Sequence, residues 1–86
     1  MQRYHFHFVQ DGVRLDDVEG ADFADPAAAR LEATRQIRCM IADDVRDVGV
    51  IWLSRRIDIT LPDGTIVCRV AFIEAVKISD KPDNLP

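Results

Sequence analysis

One helical segment lies between two groups of alternating apolar residues, and this order constrains the fold more than any other feature of the sequence. Residues 26–47 place apolar side chains along one stripe of a helical wheel and charged side chains opposite it. The segments on either side alternate apolar and polar residues, which is typical of strands with one buried face. A chain of 86 residues supplies one core of this kind, so we expect a single small domain.

The helix has recognisable start and stop signals. Asp25 is suited to accept hydrogen bonds from the free N–H groups of the first turn, where Pro26 lacks a donor that would otherwise go unpaired. Gly49 is suited to the left-handed conformation that ends many helices. We therefore expect a helix from Pro26 to about Asp47. Its predicted buried stripe consists of Ala27, Leu31, Thr34, Ile37, Ile41, Val45 and Val48, flanked by Ala33 and Met40.

The alternating segments predict four strands. Residues 3–9 form the first strand, the Asp11-Gly12 pair predicts a hairpin turn, and residues 13–15 return as a short edge strand before an acidic loop. After the helix, residues 56–61 and 66–72 form a second hairpin around Pro62-Asp63-Gly64. The run Val50–Leu53 is compatible with a strand start or with a loop packed over the core. We expect the domain to span residues 1–78 and the polar tail, residues 79–86, to fray.

Together these elements predict an α+β fold, a two-layer sandwich of order β-β-α-β-β. An antiparallel sheet carries the long helix across one of its faces. We expect the sheet to contribute ten residues to the core, and Leu31, Ile37, Ile41 and Val45 of the helix to pack on them. The ten are Tyr4, Phe6, Phe8, Ile57, Ile59, Leu61, Ile66, Cys68, Val70 and Phe72.

The other face of the sheet is left without a covering layer, and its mixed composition is typical of an interaction surface. We predict His5, His7, Val9, Arg56, Asp58, Thr60, Val67, Arg69 and Ala71 on this face. Small domains gain stability by pairing, so we expect a homodimer through this face or through a sheet edge, and a protein partner is a further expectation. The candidate binding residues are His5, His7, Arg56 and Arg69.

Two histidines on one strand raise the alternative of a small-ligand or metal binder. His5 and His7 lie about 6.6 Å apart along the strand, close enough to approach one ion or anion. The pattern lacks a third Cys, His or carboxylate ligand, so we predict no metal site and no cofactor. An ion pair between Asp58 and Arg69 is the structural interpretation of the charges on this face.

The charge distribution is uneven. Residues 11–25 contain six acidic residues and one base, Arg14, whereas the whole chain has a net charge of −4. This acidity argues against nucleic-acid binding, although Arg3, Arg55, Arg56 and Arg69 form a basic strip with the two histidines. The acidic segment does not fit a calcium-binding loop, because Leu15 and Pro26 occupy two ligand positions.

Nothing in the sequence predicts an enzyme. Ser54 and Ser79 lie in no nucleophile motif, and no glycine-rich phosphate loop is present. A thin core also leaves little room for a pocket. Cys39 and Cys68 are predicted to be unpaired thiols, because they fall on opposite sides of the helix. No apolar stretch is long enough to span a membrane and no secretory signal begins the chain, so we expect a cytoplasmic protein.

Several short motifs follow one another along the chain: Arg3-Tyr4-x-Phe6-His7, Asp11-Gly12, Asp17-x-Glu19-Gly20, Asp25 before Ala28-Ala29, Glu32-Ala33, Arg56-Ile57-x-Ile59, Asp63-Gly64, Val70, Phe72 and Ala75-Val76. In this order they resemble a family of short bacterial proteins with an uncharacterised domain of unknown function. The resemblance covers most of the chain. It implies a small α+β domain without an established activity, and it implies no catalytic residue.

A second resemblance is to antitoxins of the HicB type, which also begin with strands and enter a helix containing Glu-Ala pairs. It implies a regulatory protein that binds a small toxin. The chain differs from these antitoxins in the acidic segment Asp16–Asp25, which replaces a loop rich in glycine and proline.

Overall fold

The computed structural model describes residues 1–82 and contains five strands and two helices. The predicted fraying of residues 79–86 concerns a tail whose last four residues lie outside the described part. In chain order the elements are β1 (Gln2–Gln10), β2 (Val13–Leu15), β3 (Ala21–Phe23), α1 (Pro26–Asp47), β4 (Arg56–Thr60), β5 (Ile66–Ala71) and α2 (Phe72–Ala75). None of the helices in residues 1–82 has the length and hydropathy required of a transmembrane segment.

The sheet is antiparallel throughout and confirms the predicted α+β class. Its main order is β2-β1-β4-β5, and β3 also pairs with β1. β2 pairs with residues 8–10 of β1, whereas β3 pairs with residues 2–4. The order is therefore β-β-β-α-β-β, and the prediction missed β3. This strand has only three residues and lies within the acidic segment, where it leaves no alternating pattern.

The local signals for turns and caps are confirmed. Asp11 and Gly12 both have positive φ, 52° and 75°, as a two-residue hairpin turn of type I′ requires. The Asp25 carboxylate accepts from the Ala28 N–H at 2.8 Å and caps α1. Gly49 (φ 75°) follows the helix, and its N–H donates to the carbonyls of residues 44 and 45.

The buried stripe of α1 differs from the predicted one. The buried helix residues are Ala29, Ala33, Ile37 and Ile41, at intervals of four. Leu31 is 72% exposed and Val45 is 45% exposed, so their assignment to the core was wrong. Ala27 and Val48 are exposed as well. The physical reason is that α2 packs beside α1 and supplies buried residues of its own, so the helix turns its small alanines toward its neighbours.

A β-bulge changes which side chains β5 presents to each face. Ile59 pairs with Cys68, but the next residue, Thr60, pairs with Ile66, which leaves Val67 as the extra residue. Val67 therefore packs against the core, and Ile66 is 45% exposed. The predicted positions of these two residues were wrong. Phe72 is buried as predicted, but it begins α2 instead of ending a strand.

The segment Val50–Leu53, which the sequence left open, is neither strand nor helix. Arg55 holds the C-terminal end of this segment in place. The Arg55 guanidinium donates to an Asp44 carboxylate oxygen of α1 at 2.7 Å and to the Trp52 carbonyl, and its carbon lies 4.3 Å from the centre of the Phe72 ring. Arg55 is thus buried beneath this loop, and its assignment to an exposed basic strip was wrong.

Candidate functional site

The four candidate binding residues lie on the sheet face that points away from α1. His5 and His7 extend from β1, opposite Thr60 and Asp58 of β4. Arg56 precedes Asp58 by two residues and shares its face, and Arg69 of β5 pairs with Asp58 across the ladder. The strand alternation thus brings all four to one surface.

The centre of this face is covered, in contrast to the prediction of an uncovered surface. His7, Asp58 and Thr60 are only 6%, 3% and 1% exposed. The loop between β2 and β3, residues 16–20, folds over the histidines, and arginine side chains flank Asp58. Of the four candidate binding residues, Arg56 and Arg69 are exposed, His5 is half-buried and His7 is buried.

Asp17 anchors this loop through four hydrogen bonds, which we call the Asp17 clamp. Its backbone N–H donates to Nδ1 of His7 at 3.1 Å, and its carbonyl oxygen accepts from Nδ1 of His5 at 2.8 Å. Its carboxylate accepts from the N–H groups of Phe6 at 3.0 Å and Gly20 at 3.1 Å. Phe6 lies between the stretches of β1 that pair with β2 and β3, so the carboxylate fills a gap at the edge of the sheet.

The clamp assigns a different proton arrangement to each histidine. His7 accepts at Nδ1 from Asp17, so its proton is on Nε2, which donates to Oγ1 of Thr60 at 2.8 Å. His5 faces a carbonyl oxygen and must therefore carry a proton on Nδ1. The two rings lie nearly parallel, with centroids 6.1 Å apart. The backbone N–H of Asp17 thus binds an imidazole acceptor, and its backbone carbonyl binds an imidazole donor.

Burial and hydrogen bonds shift the pKa values within the clamp. Burial is the main cause that lowers the pKa of the His7 imidazole, with a smaller contribution from Arg14; Asp16 opposes both. Burial alone would raise the pKa of the Asp17 carboxyl. The N–H donors of Phe6 and Gly20 outweigh it, so this pKa is lower than usual. Both shifts favour a neutral His7 and an ionised Asp17 in the folded protein.

Gly20 closes the loop where no other residue fits well. Its φ is 70°, in the left-handed region, and a Cβ built on it would lie 2.8 Å from the carbonyl oxygen of Tyr4. Within this turn, the Gly20 N–H donates to the Asp17 carboxylate three residues earlier. Sequence reasoning missed Asp17 and Gly20. The signal that could have found them is an Asp at the first position and a Gly at the fourth position of a turn.

The exposed part of the candidate site is a cluster of two arginines on one carboxylate. Nε of Arg56 lies 2.8 Å from Oδ1 of Asp58, and Nε of Arg69 lies 3.6 Å from the same oxygen. The predicted pair of Asp58 with Arg69 is confirmed, although Arg56 is the closer partner. One buried carboxylate shared by two guanidinium groups leaves a net positive charge at this end of the face.

The geometry does not favour a metal ion held by both histidines. Both ring nitrogens of His7 and one of His5 already make hydrogen bonds, which leaves Nε2 of His5. Residues 1–82 contain no group of three or more His, Cys, Asp or Glu side chains arranged to hold a metal ion. Cys39 and Cys68 are unpaired thiols, as predicted.

At least two shallow grooves in residues 1–82 lie outside the candidate face. One, at the β1–β2 hairpin, is lined by Phe8, Gln10, Asp11, Val13 and Leu15. The other lies between β3 and α1, with Phe23, Leu31 and Arg38 among its lining residues. Neither groove includes any of the four candidate residues.

Comparison with known proteins identifies a family but no described relative. No curated protein and no solved structure matches the chain significantly. A family model, DUF6894, matches residues 3–73, which include the Asp17 clamp and the arginine cluster. The chain therefore belongs to the DUF6894 family, a domain of unknown function.

Proposed function

We propose that this protein is a non-enzymatic interaction domain that associates with a second copy of itself through the outer edge of β5. The observation that carries the proposal is the contrast between the two edges of the sheet. One edge is divided between the three-residue strands β2 and β3, with Asp17 between them, whereas the six residues of β5 form a continuous edge that no other strand in residues 1–82 covers. An unpaired edge strand is a template for pairing with another chain.

The hydrogen-bond pattern identifies the groups that would pair. The Phe72 N–H donates to the Arg55 carbonyl, so Phe72 and alternate residues before it direct their backbone groups toward β4. Arg69 and Ala71 therefore direct theirs outward. The Ala71 N–H already donates to the Glu74 carboxylate at 2.9 Å. Arg69 lies in the middle of the free edge and is the natural centre of a β5–β5 contact.

The side chains along this edge are compatible with a symmetric contact. Ile66 is exposed next to it and would be buried by a second strand. Arg69 already shares the Asp58 carboxylate, so two copies would bring together arginines whose charge is partly balanced. An antiparallel β5–β5 pair is related by a two-fold axis, the commonest symmetry of homodimers.

The test compares two substitutions at Arg69 by size-exclusion chromatography with light scattering at micromolar concentration. We expect wild type to have the mass of a dimer. Arg69→Pro removes the outward N–H without removing a bond to β4, so it should yield a monomer. Arg69→Ala retains the backbone donor and should remain dimeric.

Circular dichroism of both variants provides the folding control, since a proline in a strand can also disturb the fold. A monomeric wild-type protein, or a dimeric and folded Arg69→Pro variant, would contradict pairing through β5. We further propose a cytoplasmic location, which the free thiols of Cys39 and Cys68 support because oxidising compartments favour disulfides.

A further inference from the structure

The Asp17 clamp contains one hydrogen bond that exists only while a histidine is neutral. Nδ1 of His7 accepts the Asp17 N–H, and a protonated imidazole has no acceptor nitrogen. Nδ1 of His5 is a donor to the Asp17 carbonyl, and it remains a donor when the ring is protonated. Protonation of His7 therefore removes a hydrogen bond of the clamp, whereas protonation of His5 leaves its hydrogen bond in place.

We propose that the Asp17 clamp is an acid-sensitive latch in which protonation of His7 expels the Asp17 N–H and releases residues 16–20 from the edge of β1. A proton on Nδ1 of His7 points at the amide proton of Asp17. The two donors repel, and the peptide must move away. This displacement also draws the Asp17 carboxylate from the Phe6 N–H, so the middle of the β1 edge becomes accessible.

The charged and hydrogen-bonding groups around His7 determine the free energy of protonating its imidazole. Oδ1 of Asp16 lies 3.5 Å from Nδ1 and would attract the new proton, but it is already 2.6 Å from Nε of Arg14. On the β4 side, Oγ1 of Thr60 accepts from Nε2 and still can after protonation. The titratable and charged groups facing His7 are His5 on β1, Arg14 on β2, Asp16 and Asp17 in the loop, and Asp58 on β4 with its partners Arg56 and Arg69.

The geometry gives the latch a direction. Asp16 already lies beside Nδ1 of His7 in the closed loop and lowers the cost of protonating the ring there, but the Asp17 N–H points at the same nitrogen. Acid therefore favours a position of the loop in which the two donors are apart. Burial of His7 lowers its pKa in the closed state, so the open state takes up the proton more readily. Closure of the loop is therefore strongest above the ordinary histidine pKa of about 6.5 and weakens progressively as the pH falls below it.

Amide hydrogen exchange measured by NMR tests the latch directly. Protection factors of the Phe6, Asp17 and Gly20 amides, corrected for intrinsic exchange, are compared between about pH 7.5 and about pH 5. We expect their protection to fall by up to about tenfold per pH unit within this range. The Phe72 amide, which bonds to the Arg55 carbonyl, reports global unfolding and should remain more protected than the three loop amides at each pH.

Two matched variants separate the histidines. His7→Asn places an amide oxygen near the position of Nδ1, so it can accept from Asp17 but cannot titrate. Its loop protection should not depend on pH. His5→Asn places an amide donor near the position of the His5 Nδ1 and should retain the pH dependence of the wild type.

Titration of the imidazole nitrogen shifts in the wild-type protein provides a measurement that needs no variant. As the pH falls from about 6.5, loop protection should decrease progressively until the titration midpoint of His7 is reached. Protection that does not change with pH in wild type, a His7→Asn variant with an unchanged slope, or loop opening that follows His5 instead of His7 would each overturn the proposal.

Discussion

At the scale of single residues, Asp17 connects the loop of residues 16–20 to both histidines and to the edge of β1. The sequence could place it in an acidic segment but could not show that its carboxylate completes a sheet edge. Hairpin and cap signals act within a few residues, and the predictions based on them are confirmed at Asp11, Gly12 and Asp25. The Asp17–Gly20 bond has a local turn signature. The bonds of the clamp to His5, Phe6 and His7 join residues ten or more positions apart, so no local pattern reveals them.

The close approach of Gly20 to β1 predicts that Gly20→Ala is more destabilising than Gly12→Ala. Both glycines have φ near 70°, but a Cβ has nothing within 4 Å at Gly12 and a backbone oxygen at 2.8 Å at Gly20. We expect Gly12→Ala to cost about 1 kcal/mol from backbone strain and Gly20→Ala to cost about 2 kcal/mol or more. Urea unfolding followed by Trp52 fluorescence measures the difference. Equal losses would show that the contact with Tyr4 has no energetic effect.

At the scale of elements, α1 illustrates what periodicity determines and what it leaves open. Its ends are confirmed because the cap signals are local. The prediction of its buried side was partly wrong. A helical wheel identifies the more apolar side of a helix, whereas the side that is buried here depends on packing against α2. This one-turn helix was not revealed by the sequence pattern. The bulge in β5 had the same effect on Ile66 and Val67, since one inserted residue exchanges the faces of its neighbours.

The observed orientation of α1 predicts unequal effects for two similar truncations. Ile37 is fully buried and Leu31 is 72% exposed. Ile37→Ala should lower the free energy of unfolding by about 2 to 5 kcal/mol, because it leaves a cavity in the core. Leu31→Ala should change it by less than about 0.5 kcal/mol. A larger loss for Leu31→Ala in urea denaturation would contradict this orientation.

The pair of Asp44 and Arg55 predicts a second contrast along the same helix. Asp44→Asn removes the carboxylate from a buried guanidinium and should cost about 3 kcal/mol, with loosening of residues 50–55. Asp43 pairs with Arg46 on the exposed side of α1, so Asp43→Asn should cost no more than about 0.5 kcal/mol. Thermal unfolding of both variants measures the contrast, and similar melting temperatures would mean that the buried pair does not hold the loop.

At the scale of the whole molecule, shifted pKa values predict two separate losses of stability in acid. His7 has a lowered pKa, so its contribution is complete above the unfolded value of about 6.5 and is lost as the pH falls through the folded value. Asp17 also has a lowered pKa, so its contribution is complete above about 3.8 and is lost below it. Urea midpoints measured across pH should show both phases in wild type and only the lower phase in His7→Asn. A wild-type protein that loses stability only at strongly acidic pH would contradict the predicted contribution of His7.

The interruption of β1 between β2 and β3 also bears on how large an assembly can become. A chain with two free sheet edges can add copies without limit and grow into a filament, whereas a chain with one free edge stops at a pair. In residues 1–82 the β1 edge is occupied by two short strands and by a charged carboxylate between them. Within residues 1–82, β2 and β3 are themselves unpaired on their outer sides, but each has only three residues and the half-buried Asp17 carboxylate lies between them. This edge is therefore a poor template for a further strand, so pairing through β5 favours two copies over a fibril.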